Sequence, residues 1–255
     1  MGVTRLKSSG LMLAMLAAWI LAGTGARAAA PEKPNIVLLL IDDMPWYGTD
    51  VRMDPDLPGS AMAFRHMPNV QRLAEQGMTF QRAYTGAAMC APSRCCLQTG
   101  MTAAHHLFSG NGGFGSTTDG NVQYRTKKED AKRPLLCPEP QGNIRFSSIG
   151  DVLKAGGYTT AHFGKWHLYG GGPAKHGYDQ SDGETTNSSF RPAKDPKTGK
   201  NAYTDADPKY MFSITDRSIT FMESAVKPQR PFYLQVSHYA THAFYQCRPE
   251  TLAKV

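Results

Sequence analysis

The chain has 255 residues, with 28 Lys and Arg against 21 Asp and Glu, and a formal net charge of +7. Hydrophobic residues make up 41% of it, which excludes a disordered chain and leaves apolar surface for one sizeable core. The positive charge does not indicate nucleic-acid binding: no basic run is interleaved with aromatics, and "KKEDAKR" at 127–133 alternates in sign, as a solvated loop does.

Residues 1–28 are predicted to be a secretory signal peptide. Arg5 and Lys7 precede an apolar run from Leu11 to Ala22, and Ala26-Arg27-Ala28 supplies an A-x-A cleavage signal. The run is too short to span a membrane. A twin arginine and a lipid-bearing cysteine are both lacking near the cleavage point. The mature domain, 29–255, is expected to be periplasmic or secreted and free of membrane. Its net charge would be +4, because the leader removes three basic residues and no acids. An odd number of cysteines remains: Cys90, Cys95, Cys96, Cys137 and Cys247. In an oxidising compartment one of them is left to find another role.

"NIVLLLI" at 35–41 reads as a strand buried on both faces, stopped by Asp42-Asp43 and the Pro and Gly beyond. A helix is predicted from Pro68 to Gly77 with Val70, Leu73 and Ala74 on its apolar face. Another runs from Pro92 to about His105. A third, capped by Ser147 or Ser148, carries Ile149, Val152 and Leu153 and closes at Gly156-Gly157. Strands are expected at 158–163 and 231–237, with a helix at 214–225 between them. The segments 109–143 and 169–209, rich in Gly, Pro, Asn, Asp and Ser, read as long functional rims. Strands alternating with helices predict an α/β fold, a mostly parallel central sheet flanked by helices.

Parallel sheets bind ligands at the carboxyl ends of their strands, and here those ends are loaded. The first strand ends in Asp42-Asp43, either a loop start or a hard-oxygen site for Ca²⁺ or Mg²⁺. The strand at 158–163 leads to Lys165 and His167, two apart and so on one side of an extended segment. A lysine beside that imidazole favours its neutral form, a base or acid poised near neutral. The strand at 231–237 leads to His238 and His242.

"CAPSRCCLQTG", 90–100, admits several readings. A phosphatase loop fails because Arg94 comes four positions after Cys90 rather than six. A zinc knot of Cys90, Cys95, Cys96, His105 and His106 lacks paired C-x-x-C spacing. Disulfides from Cys95 or Cys96 to Cys137 or Cys247 stay open, as does chemical modification of a cysteine.

This segment is similar to the signature of type I sulfatases, C-x-P-S-R followed by x-x-L-x-T-G, with Cys90, Pro92, Ser93, Arg94, Leu97, Thr99 and Gly100 in place. "KPNIVLLLIDD", "MPNVQRLAEQGMTFQRAY", "GDVLKAGGYTTAHFGKWHL" and "PFYLQVSHYATHAF" resemble, in order, further segments of that family of the alkaline-phosphatase-like superfamily. Tyr169 stands where the second signature usually has Gly.

The resemblance implies hydrolysis of a sulfate ester on a sulfated sugar or aryl sulfate. It implies that a formylglycine-generating maturation enzyme oxidises Cys90, and that one hydroxyl of the aldehyde hydrate attacks sulfur while the other later expels sulfate. Pro92, as the first helical residue, would set residue 90 at a helix N-terminus. Arg94 would hold the hydrate, Lys165 a sulfate or hydrate oxygen, His167 would be the base for elimination, and His242 would serve the leaving oxygen. Asp42, Asp43 and residue 90 would hold Ca²⁺, with Mg²⁺ as the alternative. A phosphate- or phosphonate-ester hydrolase of the same superfamily is the rival reading. The family's Asp-Asn metal pair and second active-site lysine should follow His242, and no such pair occurs before Val255, thirteen residues later. The expectation is therefore an amino-terminal portion of a catalytic domain, binding metal weakly and poorly active or inactive by itself.

Overall fold

The structure is a computed structural model that describes residues 33–106, 108, 146–168, 170–187, 206–227, 230–243 and 245–254. The leader, Cys137 and the segment 109–143 lie outside the described residues. Chain contacts separate Met1–Pro34 from Asn35–Val255, and the fold below is that of the second unit.

Four strands form one parallel sheet in the order β1-β4-β2-β3: β1 is Ile36–Ile41, β2 Thr159–Gly164, β3 Gln180–Ser181 and β4 Phe232–His238. Central β4 pairs Ile36↔Tyr233 through Ile41↔His238 on one side and Thr159↔Phe232 through Gly164↔Ser237 on the other. In register and parallel, the strands deliver Asp42, Lys165 and Tyr239 to one edge. The helices are α1 (Pro68–Gln76), α2 (Cys90–Thr99), α3 (Ala103–His106), α4 (Ile149–Ala155), α5 (Met211–Ala225) and α6 (Pro249–Leu252).

Side-chain alternation along β4 makes two layers of core. Phe232, Leu234 and Val236 face α5, where they pack with Phe163, Ile214 and Phe221. Tyr233 faces the opposite layer, with Ala91 and Cys95 of α2, Trp166, Leu168 and Tyr178, bordered by Ile149 and Leu153 of α4. Beside it a buried amide network ties α2 to the sheet. Gln98 Nε2 donates to Gln235 Oε1 at 2.8 Å, and the Tyr178 hydroxyl lies within 3.0 Å of both amide oxygens. Every polar atom buried here needs such a partner, since leaving one unpaired costs about 1–3 kcal/mol.

β3, inside the segment 169–209, and α6 were not predicted; the predicted strands and helices fall where sequence patterning places them, with four corrections. The strand β1 is not buried on both faces: Val37 and Leu39 are 51% and 57% exposed, because α5 lies over β4 and β2 and does not reach them. The helix α1 forms behind Pro68 and ends at Gly77, yet none of its residues is buried and Leu73 is 68% exposed. On α4 the Ser148 cap forms, reciprocated by Asp151, but Val152 faces outward. The predicted helix 92–105 is two, α2 and α3, since Gly100 adopts φ +67 and closes α2 with its N–H on the Cys96 carbonyl. That helix starts at Cys90, so Pro92 is its third residue; a missing N–H costs nothing there because the first turn has no intrahelical acceptor.

Candidate active site

The segment after β1 carries Asp42 and Asp43, the latter at φ +55. Asp42 N donates to Ala240 O at 2.8 Å and Thr241 N to Asp42 O at 2.6 Å, so the ends of β1 and β4 are laced together. At the end of β2, Gly164 has φ +92, and a Cβ there would run into the Ser237 carbonyl. The chain can turn into Lys165 only with glycine in that place. Trp166 and Leu168 then enter the core while Lys165 and His167 turn to the Asp42 side; His167, at φ +55, departs from extended backbone.

Asp42, Arg94 and Lys165 interlock. Arg94 donates through Nη2 to Asp42 Oδ1 at 3.0 Å and through Nη1 to the Lys165 carbonyl, while Lys165 Nζ bonds Asp42 Oδ2. Burial opposes ionisation of Asp42, but Arg94 and Lys165 outweigh it and hold the carboxyl below its usual range. Both cations were expected to hold the hydrate or sulfate; in the structure their bonds go to Asp42, and Lys165 is 0% exposed. His167 was expected to titrate near neutral. Burial, seconded by Lys165 and Arg94, pushes it down to about 3, so its imidazole is neutral, and its buried Nδ1 has no hydrogen-bond partner among the described residues.

Nearer the surface lies a second group. Cys90 Sγ is 3.6 Å from Asp43 Oδ1, and His242 Nε2 is 3.6 Å from Asp43 Oδ2. Burial, and behind it Asp42 and Asp43, push the Cys90 thiol up despite Lys165, which disfavours a thiolate nucleophile. Donor atoms of Asp42, Asp43, Cys90 and His242 all lie within 4.8 Å of one another, and a cavity of about 320 Å³ opens beside Asp42, Asp43, Cys90, Ser93 and Arg94. The two carboxylates suit a hard divalent cation such as Ca²⁺ or Mg²⁺, whereas a thiol and an imidazole do not.

The cysteines left open by the sequence make no disulfide among the described residues: Cys95, Cys96 and Cys247 are free thiols. Burial pushes Cys95 up to about 12, and Cys96 Sγ meets His106 Nε2 at 3.2 Å.

Sequence reasoning passed over Lys209. It sits at the end of the segment 169–209, is buried, bonds the His242 carbonyl through Nζ, and interacts electrostatically with Asp42, Asp43 and Lys165. Local sequence holds no sign of this, since the contact spans 33 positions. No helix among the described residues is long and apolar enough to cross a membrane.

A family model described as Sulfatase matches residues 34–254. Mouse N-acetylgalactosamine-6-sulfatase is 31% identical over 249 residues, covering 88% of this chain and 43% of its own length. The Klebsiella aerogenes arylsulfatase is 32% identical over 156 residues, 61% of this chain and 28% of its own. The solved structure of Ps i-CgsB in complex with k-i-k-neocarrahexaose shares the fold at TM-score 0.57 and 21% identity, over 87% of this chain and 48% of that one. BT4656 in complex with its substrate D-glucosamine-2-N,6-O-disulfate does so at 0.55 and 23%, over 87% and 37%. The chain spans less than half the length of these relatives. By the match over nearly all of Asn35–Val255, the chain belongs to the sulfatase family.

Proposed function

We propose that this chain carries the reaction centre of an exported enzyme that hydrolyses sulfate esters on a glycan. Family membership supports the reaction class, and the sugar sulfates named for its relatives support the substrate class. The observation that carries the reading is the meeting of Asp42, Asp43, Cys90, Arg94 and Lys165 from three separate stretches at one sheet edge. In this reading residues 1–28 direct export and 29–255 hold the catalytic domain.

Conversion of Cys90 to formylglycine by a maturation enzyme would supply, as a hydrate, an oxygen nucleophile and a way to release sulfate that a thiol lacks. The cation held by Asp42 and Asp43, Ca²⁺ in preference to Mg²⁺, would supply positive charge beside the transferred group. The chain's own residues do the rest. Cys90 begins α2, so an anion there lies at the positive end of that helix's dipole. Arg94 and Lys165 fix Asp42 and leave positive charge facing the same anion. His167 would take up the proton of the elimination step, helped when bound sulfate offsets the cations that depress its basicity. His242 would serve the leaving oxygen through Nε2.

The test is to co-express the chain with a formylglycine-generating enzyme, weigh the peptide containing residue 90, and assay sugar and aryl sulfates beside the matching phosphates. The expected result is an aldehyde mass together with preference for sulfate. Preference for phosphate would favour the phosphohydrolase reading, and a plain thiol with no turnover would sink both.

A further inference from the structure

We propose that the cavity between the start of α5 and the ends of β3 and β4 is a subsite for a neutral pyranose ring, the sugar that adjoins the sulfated one. Its place on the substrate rests on the sulfated-glycan reading, to which it adds a recognition element outside the reaction centre.

The cavity holds about 410 Å³, within the roughly 300–1,000 Å³ of small-ligand pockets. Asp182, Thr185, Tyr210, Ser213, Arg217 and Tyr239 are among its walls, and none of Asp42, Asp43, Cys90 or Arg94 lines it. Those walls are nevertheless tied to the reaction centre. The Thr185 carbonyl accepts the His167 N–H at 2.8 Å, and the Tyr239 carbonyl accepts that of His242 at 3.1 Å. Tyr210 directly follows Lys209, whose Nζ bonds the His242 carbonyl. A substrate seated against His167 and His242 therefore has this cavity beside it.

The backbone points the same way. Lys209 and Tyr210 both lie in the left-handed region, at φ +54 and +55, which residues with side chains adopt uncommonly. The turn sends Lys209, 3% exposed, to the His242 carbonyl and leaves Tyr210, 38% exposed, at the cavity. A tyrosine ring has an apolar face and a polar tip, a surface on which the C–H face of a pyranose can lie.

The polar groups set the class of ligand. Asp182 Oδ2 accepts from Gly164 N at 2.7 Å and from Arg217 Nη2 at 2.9 Å, which fixes the carboxylate. Its Oδ1 and the other guanidinium nitrogens of Arg217 have no hydrogen bond among the described residues. An open acceptor beside open donors matches two neighbouring sugar hydroxyls, since a hydroxyl both donates and accepts. The charges of Asp182 and Arg217 cancel, and the open carboxylate oxygen repels an anion. A second sulfate is thereby rejected and a neutral ring admitted.

The full chain, expressed without a formylglycine-generating enzyme so that no turnover intervenes, is titrated with the methyl β-glycosides of galactose, glucose and N-acetylgalactosamine. Saturation-transfer NMR should show saturable, millimolar binding of at least one of them. Tyr210→Asn, a residue that tolerates the left-handed backbone, and Arg217→Gln, at an exposed position, should each weaken that binding at least fivefold. In the wild-type chain the glycoside should slow nitration of Tyr210 at least threefold and leave that of the exposed Tyr84 and Tyr245 unchanged, which needs no variant to fold. Inorganic sulfate should not displace the sugar. The proposal is overturned by any one of four results: no saturable transfer from the three glycosides, transfer that survives both substitutions, an unprotected Tyr210, or displacement by sulfate. Sulfate-ester turnover is scored separately on the converted protein. Sugar binding without turnover would remove the reaction reading alone, and turnover without sugar binding would remove the subsite alone.

Discussion

Asp42 is buried, with one oxygen bonded to Arg94 and the other to Lys165, whereas Asp43, its neighbour in the chain, is half exposed and meets Cys90 and His242 only at 3.6 Å. The two halves of the site therefore differ in kind. The inner half is buried and ties its charged groups to one another. The outer half keeps donor capacity to spare, which is what a ligand needs. Adjacent residues reach these opposite states because the chain leaves β1 through a left-handed turn at Asp43, which sends one carboxylate down beside α2 and the other outward.

Cutting the inner half should have the largest effect. Asp42→Ala leaves a buried guanidinium and a fully enclosed ammonium without their shared anion. Removing one partner of a buried ion pair costs about 3–5 kcal/mol, and denaturant unfolding should show a loss of that order. A loss below about 1 kcal/mol would mean that the triad adds nothing to the fold and that the contrast with Asp43 is only one of exposure.

Acid sharpens the same contrast. Burial first, then nearby Arg94, pushes His162 down to about 3, and His167 is pushed to about the same value. In the unfolded chain each titrates at the ordinary 6.5. Between those values the unfolded state binds protons that the folded state refuses, so stability rises with pH across the window and falls as the solution is acidified below about 6.5. Asp42, held below the usual carboxylate range, adds its loss only at lower pH, as its folded form finally takes up a proton. Denaturant midpoints collected from pH 7.5 down to 5 should decline through this range, and His162→Gln should flatten the slope. A level profile would show that neither imidazole is neutral by virtue of the fold.

How far the sequence foretold this arrangement follows from topology. Because the sheet is parallel and in register, every residue just past a strand end comes to one edge; Asp42, Lys165 and His167 could be read that way, and Arg94 follows one helical turn after Cys90. What those residues touch could not be read. Whether Arg94 and Lys165 hold a ligand or Asp42 depends on distances across 52 and 123 positions. Lys209 closes a stretch of sequence with no periodicity. The exposure of Val37 and Leu39 likewise depends on how far α5 extends over the sheet, and no pattern within "IVLLLI" encodes that.

The smallest effect on stability should come from the outer half, and that makes it the sharper half of the test. Asp43→Asn keeps the size of the side chain and the left-handed backbone, a conformation asparagine tolerates well. It removes one charge from an exposed position whose bond to Cys90 and ion pair with His242 are both 3.6 Å long. Exposed substitutions of this kind stay within about 0.5 kcal/mol, so unfolding of this variant should match the wild type, while its binding of Ca²⁺ should fall at least tenfold. The two adjacent carboxylates would then have separated cleanly, one needed for the fold and the other for the ligand. If Asp43→Asn instead destabilised the chain as much as Asp42→Ala, the outer residues would be holding the structure together, and their spare donors could not be taken as a site.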